Sequence, residues 1–408
     1  MSIHNFNASW FDHFIRGCGM TVLILAGSIL NPTAASAAPF VPSDNGEVLE
    51  RLPTPSDAGQ RELRRLRAEL SKKPNNLDLA LRLARRYITI GRTEADPRYY
   101  GYAEAALNPW WNLQVPPVEV LVLRAVLAQA RHAFDAALAD LGLVLDVDPR
   151  HAQAWLTRAF VLQVQGRPNE AGESCGRLPS GISPLIAATC RGRVESLSGR
   201  AAEGYARLEQ ALERSPDADK GLRLWALTNL AEIAGWRGDG VAAERHFRNA
   251  LSLGLSDAYL LGAYADLLLD GDRPAEVREL LAGSIRVDAL LLRLTLAETA
   301  LGDPEAAGHV AALEARFAAS RRRGDARHRR EEARFTLQLL QRPAEALGLA
   351  LENWQTQREP ADARLVLEAA RAAGAPDKAG PVLEWLEETG LEDTRIDALV
   401  QRLWEGEV

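Results

Sequence analysis

The strongest constraint on this chain is a period. Residues 146–171 read DVDPRHAQAWLTRAFVLQVQGRPNEA. With Ala152 as the first position of a unit, Trp155 is the fourth, Ala159 the eighth and Gly166 the fifteenth. Ala171 is then the twentieth and Cys175 the twenty-fourth. Moved back by 34 residues, the frame places Leu121, Ala125, Ala137 and Leu141 at equivalent positions, and Asp148-Pro149 closes the unit. Moved forward, it takes in Leu227, Leu230, Ala231, Gly238, Ala243, Phe247 and Ala250, then Ala265 and Val277. Weaker copies cover 192–212, 294–313, 335–351 and 365–386.

The residue types have a physical reading. Ala, Leu, Arg and Glu, all strong helix formers, dominate the chain, and no stretch alternates with period two. Each unit therefore reads as two antiparallel helices joined by a Gly-containing turn. Small residues at positions eight and twenty let the two axes approach, and large apolar residues fill the space between units. A single hairpin cannot cover its own apolar faces, so hairpins must stack into a continuous core.

This pattern resembles the tetratricopeptide repeat. The resemblance implies an all-α, TPR-like α-solenoid, a right-handed superhelix of antiparallel helix pairs. Eight copies begin near 118, 152, 185, 224, 258, 288, 327 and 360. Starts 258 and 288 are closer than the period, while 185–224 and 288–327 are longer. A degenerate pair, 77–91 and 96–111, comes before them. Residues 58–117 thus read as N-terminal capping helices with a degenerate repeat, 118–393 as the solenoid and 394–408 as a C-terminal capping helix.

The N-terminal segment reads as targeting information. MTVLILAGSIL (20–30) is a short apolar run, and Ala35-Ser36-Ala37 fits a small-x-small cleavage site. Residues 1–37 are read as a secretory signal peptide, and 38–57, with four prolines, as a linker. The expected location is periplasmic or secreted. The long stretch before the apolar run, with Trp10, Phe11, Asp12 and Arg16, also fits an uncleaved anchor or a misplaced start. Contact with a membrane is expected only through an uncleaved signal.

No catalytic motif is found. His-Glu-x-x-His, a phosphate-cradling glycine loop and Gly-x-Ser-x-Gly are all missing from the sequence. His132, His151, His246, His309 and His328 have no metal-ligand spacing. The expectation is a protein that is not an enzyme, with no cofactor and no metal. A net charge of −7 argues against nucleic acid as a partner.

The family resemblance implies a concave groove lined by the first helix of each repeat, holding a peptide or helix of a protein partner. Carried onto this chain, its positions are Phe160, Gln163, Thr189, Arg193, Trp225, Thr228, Glu232, Trp236, Tyr259 and Asp266. Trp155 falls on a core position. Trp225 and Trp236 fit either the groove or the core around the long 185–224 connection. An accessory role in an envelope export system such as polysaccharide secretion, with envelope proteins or glycans as partners, is the alternative that the same family allows.

Three features stay outside that scheme. Cys175 and Cys190 lie on helices that pack together in the family, which allows a disulfide; a buried free thiol at Cys175 is the other reading. The run 321–332 holds six arginines and reads as a solvated loop or a dock for an anionic partner. Tyr99, Tyr100, Tyr102, Trp110 and Trp111 read as a solenoid cap or a second contact site.

Overall fold

The computed structural model describes Asp44, residues 58–324 and residues 328–404. The segment read as a signal peptide, and the linker apart from Asp44, lie outside the described residues. Among the described residues there are twenty α-helices and no strand. A single helix, α1 (Ala58–Lys72), precedes the hairpins. The hairpins are α2 (Leu77–Thr93) with α3 (Arg98–Trp111), α4 (Val118–Gln129) with α5 (Phe134–Val147), and α6 (Ala152–Val164) with α7 (Pro168–Gly176). Next come α8 (Pro184–Ser196) with α9 (Ala201–Glu213), α10 (Lys220–Trp236) with α11 (Gly240–Leu251), and α12 (Ala258–Asp270) with α13 (Pro274–Leu280). They continue with α14 (Asp288–Leu301) and α15 (Ala306–Arg322), then α16 (Arg329–Gln338) and α17 (Pro343–Trp354). In the last, α18 (Pro360–Ala372) pairs through a 3-10 turn, Pro376–Ala379, with α19 (Gly380–Thr389), and α20 (Thr394–Gln401) ends the fold.

One backbone device closes each first helix. Ala95, His132, Gly166, Gly199, Gly238, Asp272, Gly302, Gln341 and Gly374 all have left-handed φ, between 49° and 79°. Each sits one to three residues past the end of its helix. A left-handed residue there turns the chain and ends the helix, and Gly is the usual choice. Helix starts are equally local. Asn76, Asp239, Asp257 and Asp393 accept backbone N–H bonds as N-caps, and Pro opens α7, α8, α17 and α18.

The small positions of the repeat are where the two helices of a hairpin touch. Ala125, Ala137, Ala159, Ala171, Ala231, Ala243 and Ala265 are completely buried. In the α8–α9 hairpin the two small positions are Gly192 and Gly204. A Cβ on Gly192 would come within 2.7 Å of the Gly204 carbonyl oxygen, so the axes approach too closely even for alanine. Four apolar cores follow one another along the stack, the last running from Leu185 to Leu403.

The stack bends back on itself. The Arg358 N–H donates to the Val164 carbonyl at 2.8 Å, and the Trp385 indole N–H donates to Gly166 O at 3.0 Å. The Ala201 N–H donates to Glu392 at 3.0 Å. Arg364 and Arg395 both reach Asp270, at 2.7 and 2.8 Å. The segments around α18 to α20 therefore lie across the turns of the hairpins from α6–α7 to α12–α13. Within 394–408, read as a C-terminal capping helix, α20 follows the last hairpin, and Arg395 also reaches Asp270 of α12.

Candidate partner-binding groove

Five of the expected groove residues meet on the inner surface. Arg193 of α8 donates to Glu232 of α10 at 2.7 Å. The Tyr259 hydroxyl, from α12, donates to the other oxygen of Glu232 at 2.6 Å. The Arg193 guanidinium lies 4.4 Å from the centre of the Trp236 ring, a cation–π contact. Asp266 accepts from Arg293 of α14 at 2.5 Å and from Arg334 of α16 at 2.6 Å. Burial opposes the charge on Asp266, but these two guanidinium groups hold its carboxyl well below the usual carboxylate range.

The ion pairs continue into the C-terminal hairpins. Arg330 of α16 binds Asp362 at 2.5 Å and Glu359 at 2.6 Å. Arg364 of α18 holds Glu368 at 2.7 Å in addition to Asp270. These pairs border a partly enclosed cavity of about 260 Å³, whose walls include Trp236, Tyr259, Gly262, Arg334 and Leu365. Tyr259 keeps 54% of its surface accessible. Its hydroxyl end, in contrast, is enclosed at the cavity wall, and the loss of water there, followed by the neighbouring Glu232, pushes the phenol well above the ordinary tyrosine range, so the hydroxyl stays a donor.

The remaining expected groove residues lie elsewhere. Thr189 and Thr228 are buried, and each hydroxyl donates back to a carbonyl four residues earlier, Leu185 O at 2.7 Å and Leu224 O at 2.8 Å. Their place is between helices, where a partner cannot reach them. Phe160 packs half-buried against the α4–α6 core, and Gln163 is half-buried on α6. Trp225 packs against the core that holds both cysteines. Trp236 is both core and cavity wall, with 5% exposure. Trp155, placed in the core by the repeat frame, is only half-buried, and its indole N–H donates to Pro149 O at 2.9 Å.

The chain folds as stacked tetratricopeptide-like hairpins. No family model matches it, and no curated protein matches it either. Among solved structures, the APC/C hetero-tetramer Cut9-Hcn1 is similar at 14% identity and a TM-score of 0.49, covering 81% of this chain and 64% of the matched chain. This chain therefore spans less than two thirds of that one. Yeast Tom70 is similar at 12% identity and a TM-score of 0.39, covering 85% of this chain and 84% of that one. A tetratricopeptide repeat protein from Parabacteroides merdae is similar at 13% identity and a TM-score of 0.28, over 85% of this chain and 99% of that one.

Several contributors to the inner surface were not readable in advance. By sequence the arginine run reads as a solvated loop or an anion dock. Arg330 belongs instead to the buried network, Arg321 pairs with Glu332, and Arg329 pairs with Glu352. Its residues 325–327 lie outside the described residues. Cys175 and Cys190 are joined in a disulfide, with Cα atoms 5.8 Å apart. The N-terminal aromatics divide. Tyr100 is buried, while Tyr87, Tyr99 and Tyr102 form a ring cluster with centroids 5.5 to 6.1 Å apart. Among the described residues no group of three His, Cys, Asp or Glu is placed to hold a metal ion, and no helix is long and apolar enough to cross a membrane.

Proposed function

We propose that this chain is an exported, non-catalytic scaffold that binds a peptide or helix segment of a protein partner on the inner surface of its solenoid. The observation that carries the reading is the meeting of Glu232, Trp236 and Tyr259 at one cavity wall, with Arg193 holding Glu232 and the Trp236 ring from behind. Aromatic and arginine side chains fixed in place by hydrogen bonds are the typical anchors of an interface. Fixing them beforehand lowers the ordering cost of binding. Tyr259 has the accessible surface to act as such an anchor. Export is supported by the apolar run 20–30 and the Ala35-Ser36-Ala37 site after it.

The test is chemical cross-linking of the chain in its own envelope fraction, beside a Tyr259→Ala/Glu232→Gln variant of unchanged helical circular dichroism. The expected result is a partner cross-linked to α10 or α12 in the wild type and lost in the variant. Cross-links confined to other helices and indifferent to the variant would overturn the groove.

A further inference from the structure

The N-terminal end carries a charge opposite to that of the rest of the chain. Residues 58–117 contain eleven Lys or Arg against six Asp or Glu, in a chain of net charge −7. α1 and α2 each hold a net three of that excess, and α1 turns its share to solvent. Leu63, Leu66 and Leu70 face the α2 core. At 100° per residue, Arg61, Arg64, Arg65 and Lys72 fall on the opposite face, and all four are exposed. Because α1 buries its apolar stripe against α2, it has none left to insert anywhere. What it presents outward is charge.

Beside that face lies an aromatic shoulder. The Arg67 guanidinium sits 5.1 Å from the Tyr87 ring centre and 5.9 Å from that of Tyr102. Tyr102 itself is 48% exposed, and Arg98 is exposed next to it, paired with Asp96 at 2.6 Å. A basic face by itself is ordinarily just solvated. Here it adjoins an exposed tyrosine, a side chain suited to the boundary between water and lipid. The apolar run 20–30 ends 27 residues before α1. Where the run is kept as an anchor instead of being cut after Ala37, a tether of that length, at about 3.3–3.6 Å per residue, keeps α1 within about 90–100 Å of the bilayer.

We infer that the outer face of α1, with Arg98 and Tyr102 beside it, docks on an anionic lipid headgroup surface. The attraction is electrostatic, falls off within a Debye length of roughly 8–10 Å and is therefore sensitive to salt. It is independent of what the inner surface binds. It also gives the scaffold an orientation, with its N-terminal end at the membrane and its hairpins reaching away.

The test is flotation of the chain, as purified from the envelope, with phosphatidylcholine vesicles and with vesicles containing about one third phosphatidylglycerol. Any surviving apolar segment contributes equally to both, so the difference between them reads the basic face. The expected result is roughly tenfold tighter binding to the anionic vesicles at low salt, lost at high salt. It should disappear in Arg61→Glu/Arg64→Glu/Arg65→Glu and weaken in Tyr102→Ala. The corresponding triple Gln variant, with unchanged circular dichroism, controls for damage to α1. Equal binding to both vesicle types would overturn the inference, as would anionic binding that survives the triple variants. So would salt-sensitive self-association of the chain without vesicle binding.

Discussion

The indole N–H of Trp385 donates to the carbonyl of Gly166, 219 positions earlier in the chain, at 3.0 Å. Trp385 is almost fully buried and meets Trp354 edge-on, with ring centres 5.3 Å apart. The contact joins the last hairpin to the turn of the α6–α7 hairpin. Trp385→Phe should keep most of the packing and leave the Gly166 carbonyl without its donor, at a cost of about 1–2 kcal/mol. Trp385→Ala should cost about 3–5 kcal/mol. Hydrogen exchange resolved by peptide checks this, because a long stack does not unfold in one step. Faster exchange should appear at 356–360 and 160–168 together. Faster exchange confined to α19 would mean that the contact does not hold the two ends.

A second contact of the same closure uses backbone alone. Gly199 has φ +68°, and a Cβ there would lie 2.9 Å from the Gly390 carbonyl oxygen. Gly254 has φ +70° and nothing near its missing side chain. Alanine at either site meets the left-handed penalty of about 1 kcal/mol. Only at Gly199 must backbone also move. Gly199→Ala should therefore destabilise the fold by at least about 1 kcal/mol more than Gly254→Ala in denaturant titrations. Equal losses would show that the α8–α9 turn and the 390 region are not in firm contact.

These two contacts mark the limit of what the repeat pattern could show. The hairpins were legible because their determinants are local: small residues at positions eight and twenty, and a turn residue near fifteen. Even Gly192 and Gly204 fall on those two positions. A helix start can slip against the frame, as α10 does by beginning at Lys220 behind its Asp219 cap rather than at 224. The inner surface was half legible. Glu232, Trp236, Tyr259 and Asp266 share the inward stripe, whereas Thr189 and Thr228, one turn before Arg193 and Glu232, are covered by neighbouring helices and bond to their own backbone. The closure was not legible. Arg364 and Arg395 find Asp270 across 94 and 125 residues, and no periodicity carries that pairing.

The disulfide between Cys175 and Cys190 closes a loop of 15 residues between the α6–α7 and α8–α9 hairpins. In the chain-entropy account a loop of that size stabilises by about 3 kcal/mol. Both sulfurs are buried beside Trp225. Reduction, or Cys175→Ala/Cys190→Ala, should lower stability by about that amount and change the tryptophan emission. Titration of the denatured, unreduced protein should find neither thiol free. Two reactive thiols there would show that the bridge does not form.

His132 connects pH to the closure. It occupies the left-handed turn after α4, with φ +53°, stacked on Phe134 at 5.5 Å. Burial first, and then the positive charge of Arg330, push its imidazole down to about 4. Glu331 and Glu359 pull the other way, and His328 adds to the lowering. An unfolded histidine titrates near 6.5. Between those values the unfolded chain binds a proton that the folded one refuses, so His132 removes stability as pH falls from about 7 to about 4. The loss is of order 3 kcal/mol at roughly 1.4 kcal/mol per unit. Asp362 acts oppositely in part of the window: burial drives its carboxyl up to about 6, so protonation there relieves a cost as pH falls. The net curve mixes both, and a variant separates them. His132→Asn keeps a residue that tolerates left-handed backbone and removes the titration. Wild type minus His132→Asn should give a stability difference that shrinks steadily from pH 7 to pH 4 and is flat below. A difference independent of pH would mean that His132 charges freely in the folded chain and that the charges of Arg330 and Glu359 do not reach it.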